Sequence, residues 1–409
     1  VTAIDPLDLV DPVRYARRGY PHDVWTKLRA EDPVARIDAP GYLPFWALTK
    51  HADIIEISSQ PTRFSSARGI TLAREGARPV PPSEILVMLD PPKHGPMRRL
   101  VTRRFTPRAV RERIDDIDRM ARDIVDAALP DDGADFDFVD RIAAPFPLVL
   151  VAWILGVPDA DVDLLFRLSN SVIGKDDPEF RLPGESPGQT MKRARGEIHQ
   201  YFSGLVAARR ASPRDDLISD LVRGRIGDEP LNDEQLRSYC ELLIEAGNET
   251  TRNAISGGVV AFCEHPDAWT RLREHRELLP LAVDEILRWV SPISHFSRVA
   301  TERATVRGRT IEAGDQLALF YASANRDEDV FEAPFEFRID RTPNPHLTFG
   351  FGEHFCVGAH LARVETEVVF RHLLDRMGGL ELAGEIVRLE SAVNGSIKRL
   401  PLRPRAVQR

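Results

Sequence analysis

The chain of 409 residues carries 55 Lys and Arg against 63 Asp and Glu, a formal net charge of −8, and is 43% hydrophobic. That balance argues against general nucleic-acid binding, and no run of about 18 apolar residues marks a membrane span. Three cysteines, Cys240, Cys263 and Cys356, make no disulfide framework, so a reducing cytoplasm is the expected compartment. In chain order, Val1 to Tyr20 mixes Asp5, Asp8 and Asp11 with Arg14, Arg17 and Arg18 and lacks an apolar core, so neither signal peptide nor membrane anchor is expected there. Short strand-like runs fall near 34–49 and 304–320. After Asp90-Pro91-Pro92 comes a helix on which His94 and Arg98, four residues apart, share a face. It leads into Arg99, Arg103, Arg104, Arg108, Arg111 and Arg113, which by themselves read as a solvated basic face. From about 95 to 290 apolar residues recur with helical period, interrupted at 128–136, 174–190 and 211–232, where Pro, Gly and Asp cluster. The 31 prolines are scattered as punctuation, with no linker, internal repeat or domain boundary. A single, mainly helical domain over 1–409 is expected. Its β-rich part covers about 34–65 and 296–320 plus C-terminal strands, and its helical part about 95–290 and 358–376.

Asn232 and Gln235, three apart, form a capping-box pattern, and Pro266 follows the far end of the apolar run. About 32 residues rising 1.5 Å each make a rod of about 48 Å, long enough to cross the molecule. Its middle reads Ala246-Gly247-Asn248-Glu249-Thr250-Thr251-Arg252-Asn253, flanked by Leu242, Leu243, Ile244 and by Ile255, Val259, Val260. One reading is a solvated face; the flanks point instead to burial, where an idle Glu and Thr would be costly. A mid-helix Thr hydroxyl can bond the carbonyl of the preceding turn, opening the ladder for water. Farther on, Glu285 and Arg288 sit three apart, which alone suggests a surface pair worth roughly 0.2–0.5 kcal/mol.

The densest chemistry lies in Phe349-Gly350-Phe351-Gly352-Glu353-His354-Phe355-Cys356-Val357-Gly358. Glycines at 350, 352 and 358 let the backbone fold tightly against a flat cofactor. A helix from Ala359 to Leu374, apolar at 361, 364, 368, 369 and 373, would start just after Cys356, where the positive dipole end lowers a thiol's pKa. Such a thiolate suits axial ligation of haem iron. An ordinary buried cysteine beside a glycine turn fits the same residues. A zinc site needs more ligands than His354 and His360 supply, and a cysteine nucleophile needs an activating base.

The decapeptide resembles the haem-binding signature of the cytochrome P-450 haem-thiolate monooxygenases, matching its Phe, Gly, Gly, His, Cys and Gly positions, and the chain is similar to the soluble, ferredoxin-dependent bacterial type. Residues 246–251 resemble the family's acid–alcohol motif, with Glu where many members have Asp. Motif by motif the likeness runs from about residue 90 to 400. It implies the cytochrome P-450 fold, mainly α with a small β part, holding haem b (iron protoporphyrin IX) between the long central helix and the cysteine-loop helix. Cys356 would be the iron ligand, with Gly358 beside it. His94, Arg98, Arg298 and His354 would meet the two propionates. Thr250 would hydrogen-bond dioxygen and its water, and Glu249 would relay protons from solvent. Glu285 and Arg288 would be buried with Arg341, in Phe337-Arg338-Ile339-Asp340-Arg341, as a structural clamp behind the cysteine loop. Here Arg338 replaces the acidic residue often found after that Phe.

The reaction implied is reductive activation of O2 and hydroxylation of an unactivated C–H bond in a hydrophobic molecule. Segments 67–88, 174–190, Ile293 to Phe296 and Val393 to Ile397 would line the pocket, with Leu243, Ala246, Gly247, Ile293, Ser294 and Phe296 on its wall. These segments are mostly apolar, with few charges apart from Arg68, Arg74 and Arg78. The strings at 246–253 and 394–398 resemble members that oxidise sterols, terpenoids or methyl-branched lipids, so a terpenoid, steroid or branched lipid is the expected substrate. A macrolide or other secondary metabolite is the alternative. A peroxide-driven peroxygenase and a non-catalytic haem protein are readings from other classes, and Glu249 with Thr250 speaks against the first. No flavin or iron–sulfur module follows Arg409, so ferredoxin and ferredoxin reductase are the expected electron donors, with the arginine run as docking face for an acidic ferredoxin. A cytoplasmic monomer without nucleic-acid partner or membrane anchor completes the expectation.

Overall fold

The computed structural model describes residues 4–77, 81–130 and 133–405; Arg78, with part of the segment 67–88, lies outside the described residues. The expected rod is a helix of 32 residues, Asp233–Glu264. The Asn232 side chain accepts from the Gln235 N–H at 2.9 Å, and Gln235 Oε1 accepts from the Asn232 N–H at 3.1 Å. Around this central helix pack the helices Pro145–Leu155, Val162–Ile173, Pro187–Ala211, Leu279–Val290 and Ala359–Arg376. Close approach is possible because the central helix has Gly258 at the crossing. A Cβ there would meet Ile286 and Phe370 at 2.8 Å, tighter than side-chain packing tolerates.

The β part centres on a five-stranded sheet. Its spatial order is Val34–Ile37, Phe45–Leu48, Gln316–Phe320, His295–Ala300 and Phe64–Ser65. The pair Phe45–Leu48 with Gln316–Phe320 is parallel and the other three are antiparallel. Every residue of Gln316–Phe320 is buried, as befits a strand covered on both faces. Its register sets Leu317 opposite Arg298, which fixes where that arginine leaves the sheet. Among the described residues no helix is long and apolar enough to cross a membrane.

Two expected interruptions contain helix. Within 211–232, Leu217–Arg223 is helical, capped by Asp216, whose side chain accepts from the Ser219 N–H at 2.8 Å, and is followed by a hairpin of Arg225–Ile226 with Glu229–Pro230. Seven residues are too few for a period to show among the Pro and Gly on either side. In 174–190, Pro187 starts a helix rather than breaking one. It is the first helical residue after a Ser186/Gln189 capping box, a position where its missing N–H costs nothing.

The Glu285–Arg288 pair is not on the surface. Both side chains are 0% exposed, and Arg288 donates from Nε and Nη2 to the two carboxylate oxygens at 2.8 Å each. Arg341 Nε adds contacts at 3.1 and 3.2 Å, Asn344 one at 3.2 Å, and the backbone N–H of Arg338 one at 2.8 Å. The unusual Arg338 therefore serves through its main chain. Removing one member leaves a buried charge unpaired. Arg288→Ala is expected to cost roughly 3–5 kcal/mol, read as a lower urea midpoint; an unchanged midpoint would show that the cluster adds nothing to stability.

Candidate active site

The cysteine loop is a compact turn. Gly350 and Gly352 have φ near +70°, and a Cβ on Gly352 would lie 2.5 Å from the Ser58 carbonyl, so both the conformation and the space exclude a side chain there. The Cys356 N–H closes the loop on the Phe349 carbonyl at 2.9 Å, and the Gly358 N–H donates to the thiol. Gly358 itself has an ordinary φ of −86°. Its contribution is that N–H, not left-handed backbone.

Cys356 is exposed, yet burial is the main influence on its thiol. Both hold if its open surface faces the protein interior. The expectation that the helix start would lower its pKa is corrected. Burial pushes the thiol up, against weaker opposing effects from the Gly358 N–H and from Arg98 and Arg363. A metal on the sulfur would oppose that shift and favour the thiolate. Among the described residues no cluster of three His, Cys, Asp or Glu could hold a bare metal ion.

The four expected propionate donors come from three separate elements and converge. The rings of His94 and His354 lie 4.3 Å apart. Burial, then the positive fields of Arg298, His94 and Arg98, drive His354 down to about 3. Burial also lowers Arg98, against the attraction of Cys356 and Glu353. Two carboxylates stand near: Glu353, which takes His94 Nδ1 at 2.8 Å, and Asp90, whose field also acts on His94. The four donor side chains outnumber them, and two propionates would accept from these donors, so the residues fit a haem.

Between Ser238 and Ser256 the central helix is buried at every residue except Leu242, Glu245, Ala246, Gly247 and Thr250. At 100° per residue Leu242, Ala246 and Thr250 form one window centred on the exposed Ala246, with Glu245 and Gly247 about 100° to either side. The Thr250 hydroxyl donates to the Ala246 carbonyl at 2.8 Å, the back-bond expected of it. Thr251 is buried and faces Glu365 on the cysteine-loop helix, whose ionisation it favours. Burial holds Glu365 up at about 8. The sequence reading missed this residue; a carboxyl among the apolar positions 361, 364, 368 and 369 was its only signal.

Glu249 does not face solvent. It is buried and ion-paired with Arg252, which also reaches Asn170 at 3.2 Å. Any proton it passes must cross that pair. Of the expected pocket wall, Ala246 is open and Ile293 and Phe296 are half-buried, with Ile293 bridged to Asn394. Three members are placed otherwise. Leu243 is buried, and a side chain at Gly247 would meet Val151 of the helix Pro145–Leu155 at 3.1 Å. Ser294 is fully enclosed, its hydroxyl bonded to the Ala392 carbonyl at 2.6 Å and to His295 Nδ1 at 2.8 Å. Of the basic run, Arg104 is held by Asp215 and Asp220 and Arg108 by Glu112. Arg99 and Arg103 line a surface cleft with Arg223 and Arg225.

The cytochrome P450 family model matches residues 13–377. A putative cytochrome P450 126 of Mycobacterium tuberculosis is 38% identical, over 92% of each chain. The steroid C26-monooxygenase of Mycolicibacterium smegmatis is 35% identical, over 92% of this chain and 89% of that one. The linalool 8-monooxygenase of Pseudomonas putida is 36% identical, over 96% and 97%. In structure, CYP108D1 of Novosphingobium aromaticivorans superposes with a TM-score of 0.89 at 34% identity, covering 98% of both chains.

His295, beside Ser294, carries a pH prediction. Desolvation lowers its pKa from 6.5 to about 4, so on acidification the unfolded imidazole takes its proton first. Stability should fall as pH drops from 6.5 toward 4, by about 3 kcal/mol in full. In urea melts across this range His295→Gln should flatten the slope; an unaltered slope would assign the effect to another group.

Proposed function

The chain belongs to the cytochrome P450 family, and on that premise we propose a haem-thiolate monooxygenase that uses O2 to hydroxylate an unactivated C–H bond of a terpenoid, steroid or methyl-branched lipid. One observation carries the reading: a cysteine in a glycine turn stands beside a convergent set of His and Arg donors. Haem b, when bound, supplies the oxygen activation, which thiolate ligation favours. Cys356 is assigned as its ligand, with the Gly358 N–H restraining the sulfur's charge. His94, Arg98, Arg298 and His354 pair with the propionates, so the cofactor's two charges enter a site already rich in donors.

Thr250 has the acid–alcohol role. Its hydroxyl proton is engaged by the Ala246 carbonyl, leaving the oxygen free to accept from, and hold, a water in the window. Glu249 supplies protons to that water by exchanging its partner Arg252. Ala246 leaves room above Thr250, and Ile293 with Phe296 gives an apolar wall that aims the substrate and excludes solvent. The names of the steroid and linalool relatives support the substrate class. Electrons come from ferredoxin and its reductase, and Arg99 and Arg103 suit an acidic partner. The whole chain acts as one domain and as a cytoplasmic monomer.

The reduced protein under carbon monoxide should show the long-wavelength Soret band of thiolate ligation. A histidine-type spectrum would refute the assignment. Thr250→Ala should keep that band while product per reducing equivalent falls by roughly tenfold or more and peroxide rises in its place; coupling at the parent level would remove Thr250 from the mechanism.

A further inference from the structure

Of the five residues at which the otherwise buried middle of the central helix is not fully buried, Leu242, Glu245, Ala246, Gly247 and Thr250, Glu245 alone is ionisable. It lies about 100° round the helix from Ala246, at the rim of the window. Its Oε1 is buried without a hydrogen-bond partner. The neighbouring charges are committed elsewhere. Glu241, one turn before, is paired with Arg195 at 2.8 Å and with His199, both from the helix Pro187–Ala211. Glu249, one turn after, is paired with Arg252, whose other partner is Asn170 on the helix Val162–Ile173. The helix Pro145–Leu155 brings no ionisable group. Arg195 favours and Glu241 opposes ionisation of Glu245, and desolvation outweighs both, raising it to about 8. At neutral pH it is therefore a carboxylic acid with an O–H to donate.

We propose that Glu245 is a specificity-determining residue, whose protonated carboxyl donates a hydrogen bond to a carbonyl or hydroxyl oxygen on an otherwise hydrocarbon substrate. This deepens the monooxygenase reading above and rests on it. A pocket with a buried donor rejects the analogue that cannot accept, because the donor is then left unpaired. The substrate class narrows from hydrophobic molecules at large to terpenoids and steroids that already carry at least one oxygen.

Binding to the holoenzyme is measured by calorimetry for linalool and for testosterone, each against the hydrocarbon with hydrogen in place of oxygen. The oxygenated ligand should bind at least roughly tenfold tighter. Raising the pH from about 6.5 to about 9 should weaken it about tenfold, because a carboxylate has no proton to give, and leave the hydrocarbon unaffected. Glu245→Gln keeps a donor and should retain the preference without the pH dependence; Glu245→Leu should lose the preference. The carbon monoxide band reports on the haem site in each variant. Its absence from the parent protein refutes the monooxygenase reading itself. An intact band with equal affinity for both ligands, or affinity for the oxygenated ligand that is flat or rising with pH, overturns the role of Glu245. Failure of every ligand to bind refutes the substrate class and the role together.

Discussion

A carboxylate with no access to water must have its lone pairs filled, and Glu285 imposes that demand on the centre of this molecule. Arg288 fills it from the same helix; Arg341, Asn344 and the Arg338 amide fill it from the segment that runs into the cysteine loop. The same segment is tied down twice more: the Leu347 N–H donates to Asn325 Oδ1 at 2.7 Å, and the Thr348 hydroxyl to the Leu287 carbonyl at 2.8 Å. Arg288 returns to the Asn325 carbonyl at 2.8 Å. The stretch before Phe349 thus has little freedom left. A buried ion pair need not add net stability; here the geometry it enforces reaches the loop that presents Cys356.

The site beyond that clamp is held in electrostatic imbalance. His94, His354, Arg98 and Arg298 share a region with only Glu353 and Asp90, and desolvation makes the Cys356 thiol resist ionisation. Each half is unfavourable by itself. A dianionic cofactor with a metal at its centre answers both, placing negative groups among the cations and a positive one on the sulfur. Binding and folding are then coupled, since the apo site carries costs the occupied one does not.

Much of this was legible in the residues. Asn232 with Gln235 marked the start of the central helix because a capping box is a local device, and Cys356 stood out because glycines at fixed offsets have few other uses. Glu285, Arg288 and Arg341 needed the family likeness, since an i, i+3 pair looks alike on a surface and in a core. Where the reading failed, the missing information was direction. Gly247 and Ser294 lie in the right segments, but a helix phase or strand face decides whether they meet the pocket or its backing. Glu365 and Glu245 were passed over because a carboxyl in an apolar helix reads as surface until burial is known. The thiol's pKa was misjudged because a helix terminus acts over one turn, whereas desolvation acts from all sides.

The two adjacent threonines divide the work of the central helix: Thr250 bonds within the helix and borders the window, and Thr251 faces Glu365 across the helix pair. Adjacent helical residues point about 100° apart, so the two duties are separated by rotation alone. The cap at Asn232 therefore acts as the zero mark of a ruler. Inserting or deleting one residue between it and Thr250 would keep every functional residue type yet rotate the window off the site. Evolution can revise the loops around this pocket by length, but the first half of the central helix only by substitution.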